Sequence, residues 1–336
     1  TCSIISSYIG DNDERIEIIK TQKAHYCAVR AYRRSGCCTC RRRNSFADGL
    51  LVVCVGSATH LVKYITELDK EYEAIIEFGS ETDTLEPNGK IIKKTNLPKY
   101  VDFINALKKW TGENEQFPPS FSAIHVDGKR LSDLAREGKS VEIPSRKINV
   151  YNSKVLDCRT DSFEKCNSDS DSVKFAHILF TVSKGTYIRS LARDIAKDCF
   201  SCAHLVALRR NRVGNFELKN SLGYETLPEF SINEYFGQSK VSAQDLESRE
   251  KLLEEKARNF VFELDEQTAI LCGFNILKLK SENISDFQNG KKLKNSMFET
   301  NPDDKRFNAV FCQGKFYGLV SYENKFLSYC FVRSSN

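Results

Sequence analysis

The sequence lacks any long apolar run: the longest, Leu50–Val55, falls far short of the roughly 20 residues a membrane-crossing helix needs, so no helical membrane span is expected. It also lacks the marks of a secretory leader. Thr1–Gly10 has apolar positions but neither a basic start nor an uninterrupted hydrophobic stretch, and the expected compartment is the cytoplasm. Methionine is almost missing. Only Met297 occurs and none opens the chain, which reads as an N-terminus that is processed, truncated or wrongly read. A surplus of one charge sign is absent too: 50 Lys+Arg against 45 Asp+Glu leave +5, which permits a polyanionic partner without demanding one.

Cysteine is present in an odd number, 13. Cys54, Cys158, Cys272, Cys312 and Cys330 stand singly in apolar or mixed stretches, as reduced buried thiols do, so no disulfide framework is expected. Cys37, Cys38 and Cys40 together with Cys199 and Cys202 could nominally supply four zinc thiolates. The favoured reading is no metal, because Cys199 and Cys202 lie beside Phe200, Ala203 and Leu205 in what reads as a buried helix end.

What is there divides at Asn44. The segment 1–44 holds five of the cysteines, and Arg30–Arg43 contains six arginines with no acid, lysine or proline. From Leu50 the chain reads as an ordinary mixed domain of 336 residues in total with 40% hydrophobic content, enough for one large core and a smaller one. Ala58–Leu68 has helical spacing, Tyr72–Phe78 is β-rich, and the Asn88-Gly89 turn precedes a second strand at Ile91-Ile92. Lys99–Trp110 predicts an amphipathic helix with Val101, Ile104, Leu107 and Trp110 near one face. Asp127-Gly128 leads into a helical stretch, Leu131–Arg136, and Ile148–Asp157 and Val173–Val182 read as partner strands around the polar loop Asp161–Ser172. Ala243–Arg258 reads as a solvated helical connector, and Phe287–Leu293, Phe307–Cys312, Phe316–Tyr322 and Phe326–Val332 as short strands joined by turns at Gln313-Gly314 and Glu323-Asn324.

Three ordered stretches go beyond this pattern. The first is Ala47-Asp48-Gly49-Leu50-Leu51 leading to Gly56-Ser57-Ala58-Thr59, then Asp69-Lys70-Glu71-Tyr72 and Gly79–Thr84. The second is Pro118-Pro119-Ser120-Phe121-Ser122-Ala123 with Asp127–Leu131 and Ala135–Gly138. The third is Ser183–Asp194, carrying Lys184-Gly185-Thr186-Tyr187-Ile188-Arg189, with Ala203-His204-Leu205 and Leu208-Arg209-Arg210. In this order they resemble the TruB family of tRNA pseudouridine synthases, over about 170 residues from Ser45 to Phe216, and more loosely over Asn283–Val332.

The resemblance implies an α+β fold: a mixed or antiparallel pseudouridine synthase sheet with flanking helices, and a small C-terminal PUA-like β-barrel. The domains expected are an atypical 1–44, a catalytic 45–228, a connector 229–282 and an RNA-binding 283–336. It implies isomerisation of the T-loop uridine, position 55, of tRNA by a monomer gripping the T-arm. Neither cofactor nor metal is needed, since uracil is detached, turned and rejoined through carbon. The base must leave its stack to react, which calls for apolar and aromatic walls around one carboxylate. Arg189 matches the arginine that pairs with that carboxylate, and Tyr72 the tyrosine that stacks on the base near carbon 5. Tyr187 matches a second aromatic and Leu208 a lining apolar residue. Lys129, Arg130, Arg209 and Arg210 are candidates for phosphate contact, a solvated surface being an equal account.

One position departs from the family's pattern. Its aspartate falls at Asn44, and Cys38–Arg43 replaces the glycine-histidine run ahead of it. An amide supplies no charge and would leave Arg189 buried without a partner. Asp48 lies four residues on, elsewhere on the local turn. Two accounts compete: an inactive tRNA-binding homologue, or a segment 1–44 translated from a wrong frame or spurious exon ahead of an intact synthase. The second is preferred because the break is abrupt and nothing after Ser45 decays. A zinc-dependent nucleic-acid module built on Arg30–Arg43 and its cysteines is the reading from another class, and metal analysis of the purified chain separates it. Reading the genomic DNA upstream of codon 45 in all three frames should reveal a coding stretch for glycine-histidine-threonine-glycine-x-leucine-aspartate; its absence would sink the misreading account.

Overall fold

The strand pattern closes into one large sheet. The structure is a computed structural model that describes residues 15–21, 47–54, 56–122, 125–126, 129–130, 143–221, 224–236, 261–304 and 306–333. Its strands in chain order are β1 (Arg15–Thr21), β2 (Ala47–Cys54), β3 (Lys70–Phe78), β4 (Ser80–Thr82), β5 (Ile91–Lys94), β6 (Gly112–Gln116), β7 (His125–Val126), β8 (Lys129–Arg130), β9 (Arg146–Arg159), β10 (Phe175–Val182), β11 (Ala203–Val213), β12 (Phe216–Glu217) and β13 (Val261–Glu263). Among the described residues the main sheet runs β13-β1-β2-β11-β3-β10-β9-β6, with β12 beside β11. Only β2 and β11 pair in parallel; the other neighbours are antiparallel. The segment set apart by composition thus takes a place in the sheet, with Glu17 opposite Val53 and Ile18 opposite Val52.

Alternation decides which side chains meet. Ala47, Leu208, Ala74 and Ile178 form one rung across four strands and belong to a single buried cluster on the front face. Two helices cover that face, α2 (Tyr100–Lys109) and α3 (Ile188–Asp198), each apolar on one side; the short α1 (Val62–Ile65) precedes them. Helix α2 buries Phe103, Ala106 and Leu107, with Ile104 and Trp110 alongside, whereas Val101 turns outward at 37% exposure. The i, i+3, i+4 row through Phe103 therefore replaces the one expected through Val101. The stretch Ala58–Leu68 is helical only as a 3-10 turn, Gly56–Leu61, running into α1.

The next rung, Asp48–Arg209–Glu73, faces the back. Arg209 is buried, and its Nε and Nη2 donate to Asp48 Oδ1 at 2.7 Å and Oδ2 at 2.8 Å, a bidentate pair. Its Nη1 donates to the Pro228 carbonyl, and the guanidinium lies 4.9 Å from the Phe230 ring. Glu73 accepts from Asn211 at 2.6 Å and bonds His177 at 2.8 Å. Burial acts to raise the Glu73 carboxyl, but those hydrogen bonds and the charge of Arg209 outweigh it and hold it below the usual range. Phe230 and Ile232, the latter opening α4 (Ile232–Phe236), close the back over Ile75, Val206 and Ala207.

At Gly49 the strands come closer than a side chain allows. Its φ is +113°, and an added Cβ would stand 2.4 Å from the Arg210 carbonyl oxygen and 2.5 Å from its nitrogen.

After α5 (Glu266–Leu271) come β14 (Asn275–Lys278), α6 (Ile284–Gln288), β15 (Asn308–Cys312), β16 (Lys315–Glu323) and β17 (Phe326–Val332). The four strands form an open sheet in the order β14-β15-β16-β17, so the C-terminal unit draws its first strand from the stretch read as connector. The expected strand at Phe287–Leu293 is instead the end of α6. Gly290 sits at φ +68° and donates to the Phe287 carbonyl, so Asn289-Gly290 stops a helix where it had been read within a strand. The remaining three strands and both turns lie where expected, with Gln313, Gly314 and Asn324 at positive φ. This sheet shares a core with the main one: Leu50, Leu61, Tyr64 and Phe216 cluster with Phe274, Phe311, Phe316 and Leu319. The stretches Leu131–Arg136 and Ala243–Arg258 lie outside the described residues. No helix among the described residues is long and apolar enough to cross a membrane.

The Asp48–Arg209 pair should dominate local stability. Replacing Asp48 by Asn leaves a guanidinium only 7% exposed without its counter-charge, and about 3 kcal/mol should be lost in urea unfolding.

Candidate active site

The front face gathers most of the residues singled out in the sequence. Tyr72 is buried two rungs along from Leu208 and so on the same face, opposite Arg210 on β11 and Phe180 on β10. Tyr72, Leu208 and Ala47 belong to the same cluster as Ile188, which stands between Tyr187 and Arg189. The strand pairings and the packing of α3 on the sheet bring these parts together.

Tyr187 is the extended residue that caps α3, and its backbone is held from both sides by one buried amide: Gln116 Oε1 accepts from the Tyr187 N–H at 2.9 Å, and Gln116 Nε2 donates to its carbonyl at 3.2 Å. Gln116 ends β6, so the outer strand of the sheet fixes where α3 begins.

Arg189 is not orphaned. Its Nη1 donates to Glu86 Oε1 at 2.6 Å and to the Thr84 carbonyl at 3.1 Å, and its Nη2 donates to the Phe121 carbonyl at 3.0 Å. This corrects the expectation that the arginine lacks a partner when Asn44 replaces a carboxylate. Glu86 reaches it because the 82–89 turn is tightly tied: Thr82 Oγ1 donates to the Glu86 carbonyl, and Leu85 is buried at φ +58°. That backbone is costly for leucine, and such strain collects at functional sites. Burial raises the Glu86 carboxyl above its ordinary range, opposed in part by the charge of Arg189. Ser122 and Ser190, sequence neighbours of these groups, have buried hydroxyls without a hydrogen-bond partner among the described residues, an uncommon condition.

At the other end of the same face stands Lys70, two residues before Tyr72. Its amine donates to the Thr66 and Leu68 carbonyls, and burial together with the nearby Arg210 pushes it down to about 8. Arg210 Nε donates to the Leu50 carbonyl at 2.7 Å. Arg209 is a different case from Arg210: it faces the back of the sheet and is committed to Asp48, which removes it from the candidate phosphate contacts. The same pairing removes Asp48 as a stand-in for the missing carboxylate. Lys129 and Arg130 lie on β8, paired with β7; their side chains and Asn44 lie outside the described residues. Cys199 and Cys202 are buried thiols, with Cys199 Sγ donating to the Ile195 and Ala196 carbonyls and Cys202 Sγ accepting from Thr95. Burial pushes the Cys199 thiol up to about 12. Cys37, Cys38 and Cys40 fall outside the described residues.

Sequence reasoning missed Glu86, Gln116 and Lys70. Lys70 and the run reaching Thr84 were within the quoted motifs, and Glu86 follows two residues later. Gln116 carries no local signal, because its role exists only once β6 reaches α3.

Residues 44–188 match the model of the TruB family pseudouridylate synthase, N-terminal domain. A tRNA pseudouridine synthase B from Treponema denticola is 34% identical, over 82% of this chain and 84% of its own length. One from Borreliella burgdorferi is 40% identical over 72% of this chain and 80% of its own. Among solved structures, a chain of a Cbf5-Nop10-Gar1 complex superposes with a TM-score of 0.53 at 19% identity, covering 90% of this chain and 74% of that one. A chain of an H/ACA RNP bound to a substrate RNA containing 2'-deoxyuridine gives 0.51 at 18% identity, covering 86% and 72%. These two share the fold.

Replacing Glu86 by Ala should strip Arg189 of its only anionic partner among the described residues. A loss of about 2 to 3 kcal/mol in denaturant unfolding is expected, and an unchanged midpoint would show that the backbone carbonyls suffice.

Proposed function

The chain belongs to the TruB family of pseudouridylate synthases, and on that premise we propose that it isomerises the T-loop uridine at position 55 of tRNA to pseudouridine. The reading is supported by one observation: Tyr72, Leu208 and Ile188, which stands between Tyr187 and Arg189 at the start of α3, share one buried cluster on one face of the sheet. In the reaction the bond from the ribose to N1 of uracil breaks, the base turns, a bond forms to C5, and the C5 proton moves to N1. Nothing is oxidised or reduced. Tyr72 supplies a ring for the extruded base to stack on, and its hydroxyl is placed to help the C5 proton leave. Leu208 walls the pocket, and Tyr187, fixed by Gln116, adds the second aromatic. Arg189, held by Glu86, matches the arginine that faces the family's catalytic carboxylate, a position that Asn44 occupies in this chain. The open sheet Asn275–Val332 is the RNA-binding appendix of PUA type in this proposal, with Arg210, Lys129 and Arg130 as phosphate contacts near the pocket. The protein works as a monomer in the cytoplasm, where its tRNA is.

A second reading rests on Asn44: with an amide at the family's aspartate position, the chain binds tRNA without modifying it. One experiment separates the two. Incubating the chain with unmodified tRNA, followed by carbodiimide adduct formation and primer extension, should give a stop at the T-loop uridine; full-length extension despite measurable tRNA binding selects the second reading.

A further inference from the structure

Phe200 contradicts the place that its neighbours suggest for it. Cys199, Ser201 and Cys202 are buried, yet the Phe200 ring is 89% exposed. It also occupies the backbone position least suited to it. Helix α3 ends in a paired motif in which Phe200 N–H donates to the Lys197 carbonyl at 3.1 Å and Ser201 N–H to the Ala196 carbonyl at 2.8 Å, with Phe200 itself at φ +58°. Glycine is the residue this position favours, because a β-carbon there is strained. The ring therefore costs the fold something and packs on almost none of it. Strain of this kind is kept where the side chain has work outside the fold.

The ground beside the ring is apolar and basic. Ser201 and Cys202 are tied to the segment following β5: Ser201 Oγ donates to the Asn96 carbonyl at 2.8 Å, and Thr95 Oγ1 accepts from the Cys202 N–H at 2.9 Å. Strand β5 brings Ile91 and Ile92, 50% and 60% exposed, with exposed Lys90, Lys93 and Lys94. Lys197 adds a fourth exposed amine one turn before Phe200. None of these lysines is paired with a carboxylate among the described residues. Of the acids nearby, Asp198 is taken by Lys109 and the Trp110 ring N–H, Asp83 caps the Lys90 backbone, Asp194 one turn before Lys197 is paired with Arg193, and Glu81 stands opposite Lys93 in the β4–β5 ladder. The β4–β5 hairpin connects this ground to Arg189, since its turn carries Glu86 and Thr84 against that side chain. Along α3, Phe200 lies eleven residues from Arg189, roughly 16 Å at 1.5 Å per residue.

We propose that Phe200 with Lys93, Lys94 and Lys197 is a second RNA contact outside the pocket, where an unpaired base of the substrate stacks on the ring and the lysines meet the flanking phosphates. An aromatic ring framed by unpaired amines is the chemistry that holds an unstacked base on its backbone. A protein partner burying the same ring would have to desolvate four lysines that make no salt bridge among the described residues. The inference rests on the tRNA reading given above and adds a site to it.

The position allows an unusually clean test, because the informative variant is not expected to harm the fold. Full-length Phe200→Gly should melt at or above the temperature of the unaltered chain, since glycine relieves the strained backbone. Its affinity for unmodified, in vitro transcribed tRNA, measured by fluorescence anisotropy, should fall on the order of tenfold, as the loss of one stacked base implies. Phe200→Trp should retain the affinity. A Lys93→Gln, Lys94→Gln double variant should weaken binding and flatten its dependence on salt. Phe200→Gly binding within about twofold of the unaltered chain overturns the proposal, as does Phe200→Leu binding as tightly as Phe. If the unaltered chain binds no tRNA, the functional reading and this site fail together; if it binds and Phe200→Gly matches it, only this site fails.

Discussion

The arrangement of the site depends on the register of one parallel strand pair. A sheet has a period of two, so a slip of one residue between β2 and β11 would carry every side chain of one strand to the wrong face. Parallel β2 and β11 touch over only three residue pairs. What pins this short contact is Asp48, whose two oxygens grip Arg209 on the back, while Gly49 on the next rung has no side chain to hold the Arg210 backbone away. With that register set, Ala47 and Leu208 fall to the front, where Tyr72 and α3 already are. The charged pair at the back thus places an apolar wall at the front.

The electrostatics of the front follow a different logic. A buried guanidinium demands compensation, and the chain provides it locally through a turn whose strained leucine lets one carboxylate and one carbonyl converge on Arg189. The arginine is held in position by partners that all lie among the described residues. Its geometry is therefore a property of the 82–89 turn and of the Phe121 carbonyl.

The sequence made the strands and the motif-bearing turns legible because both leave local signatures. Alternation marked β3 and β10, and the glycine and asparagine turns marked β16 and β17. Relations between distant segments left no such mark. Arg209 and Arg210 look alike in a string of letters, but adjacent residues on a strand point to opposite faces, so one is bound to Asp48 while the other shares the Tyr72 rung. Val101 and Phe103 compete for the same helical face, and only the packed partner decides between them. Asn289-Gly290 is a turn signal in a strand and a stop signal in a helix, and the stretch before it did not settle which. Phe200 was read with its buried neighbours because burial is correlated along a chain until a left-handed residue breaks the correlation.

The core shared by the two sheets has a consequence for how the molecule comes apart. Tyr64 meets Phe307 at 4.4 Å and Phe274 at 6.0 Å, His60 stacks on Phe331 at 4.6 Å, and Leu68 fills the space over Gly214 and Gly273. Neither sheet can lose its side chains here without exposing those of the other. The two sheets are therefore expected to unfold together, and separating them would uncover this shared apolar surface on both.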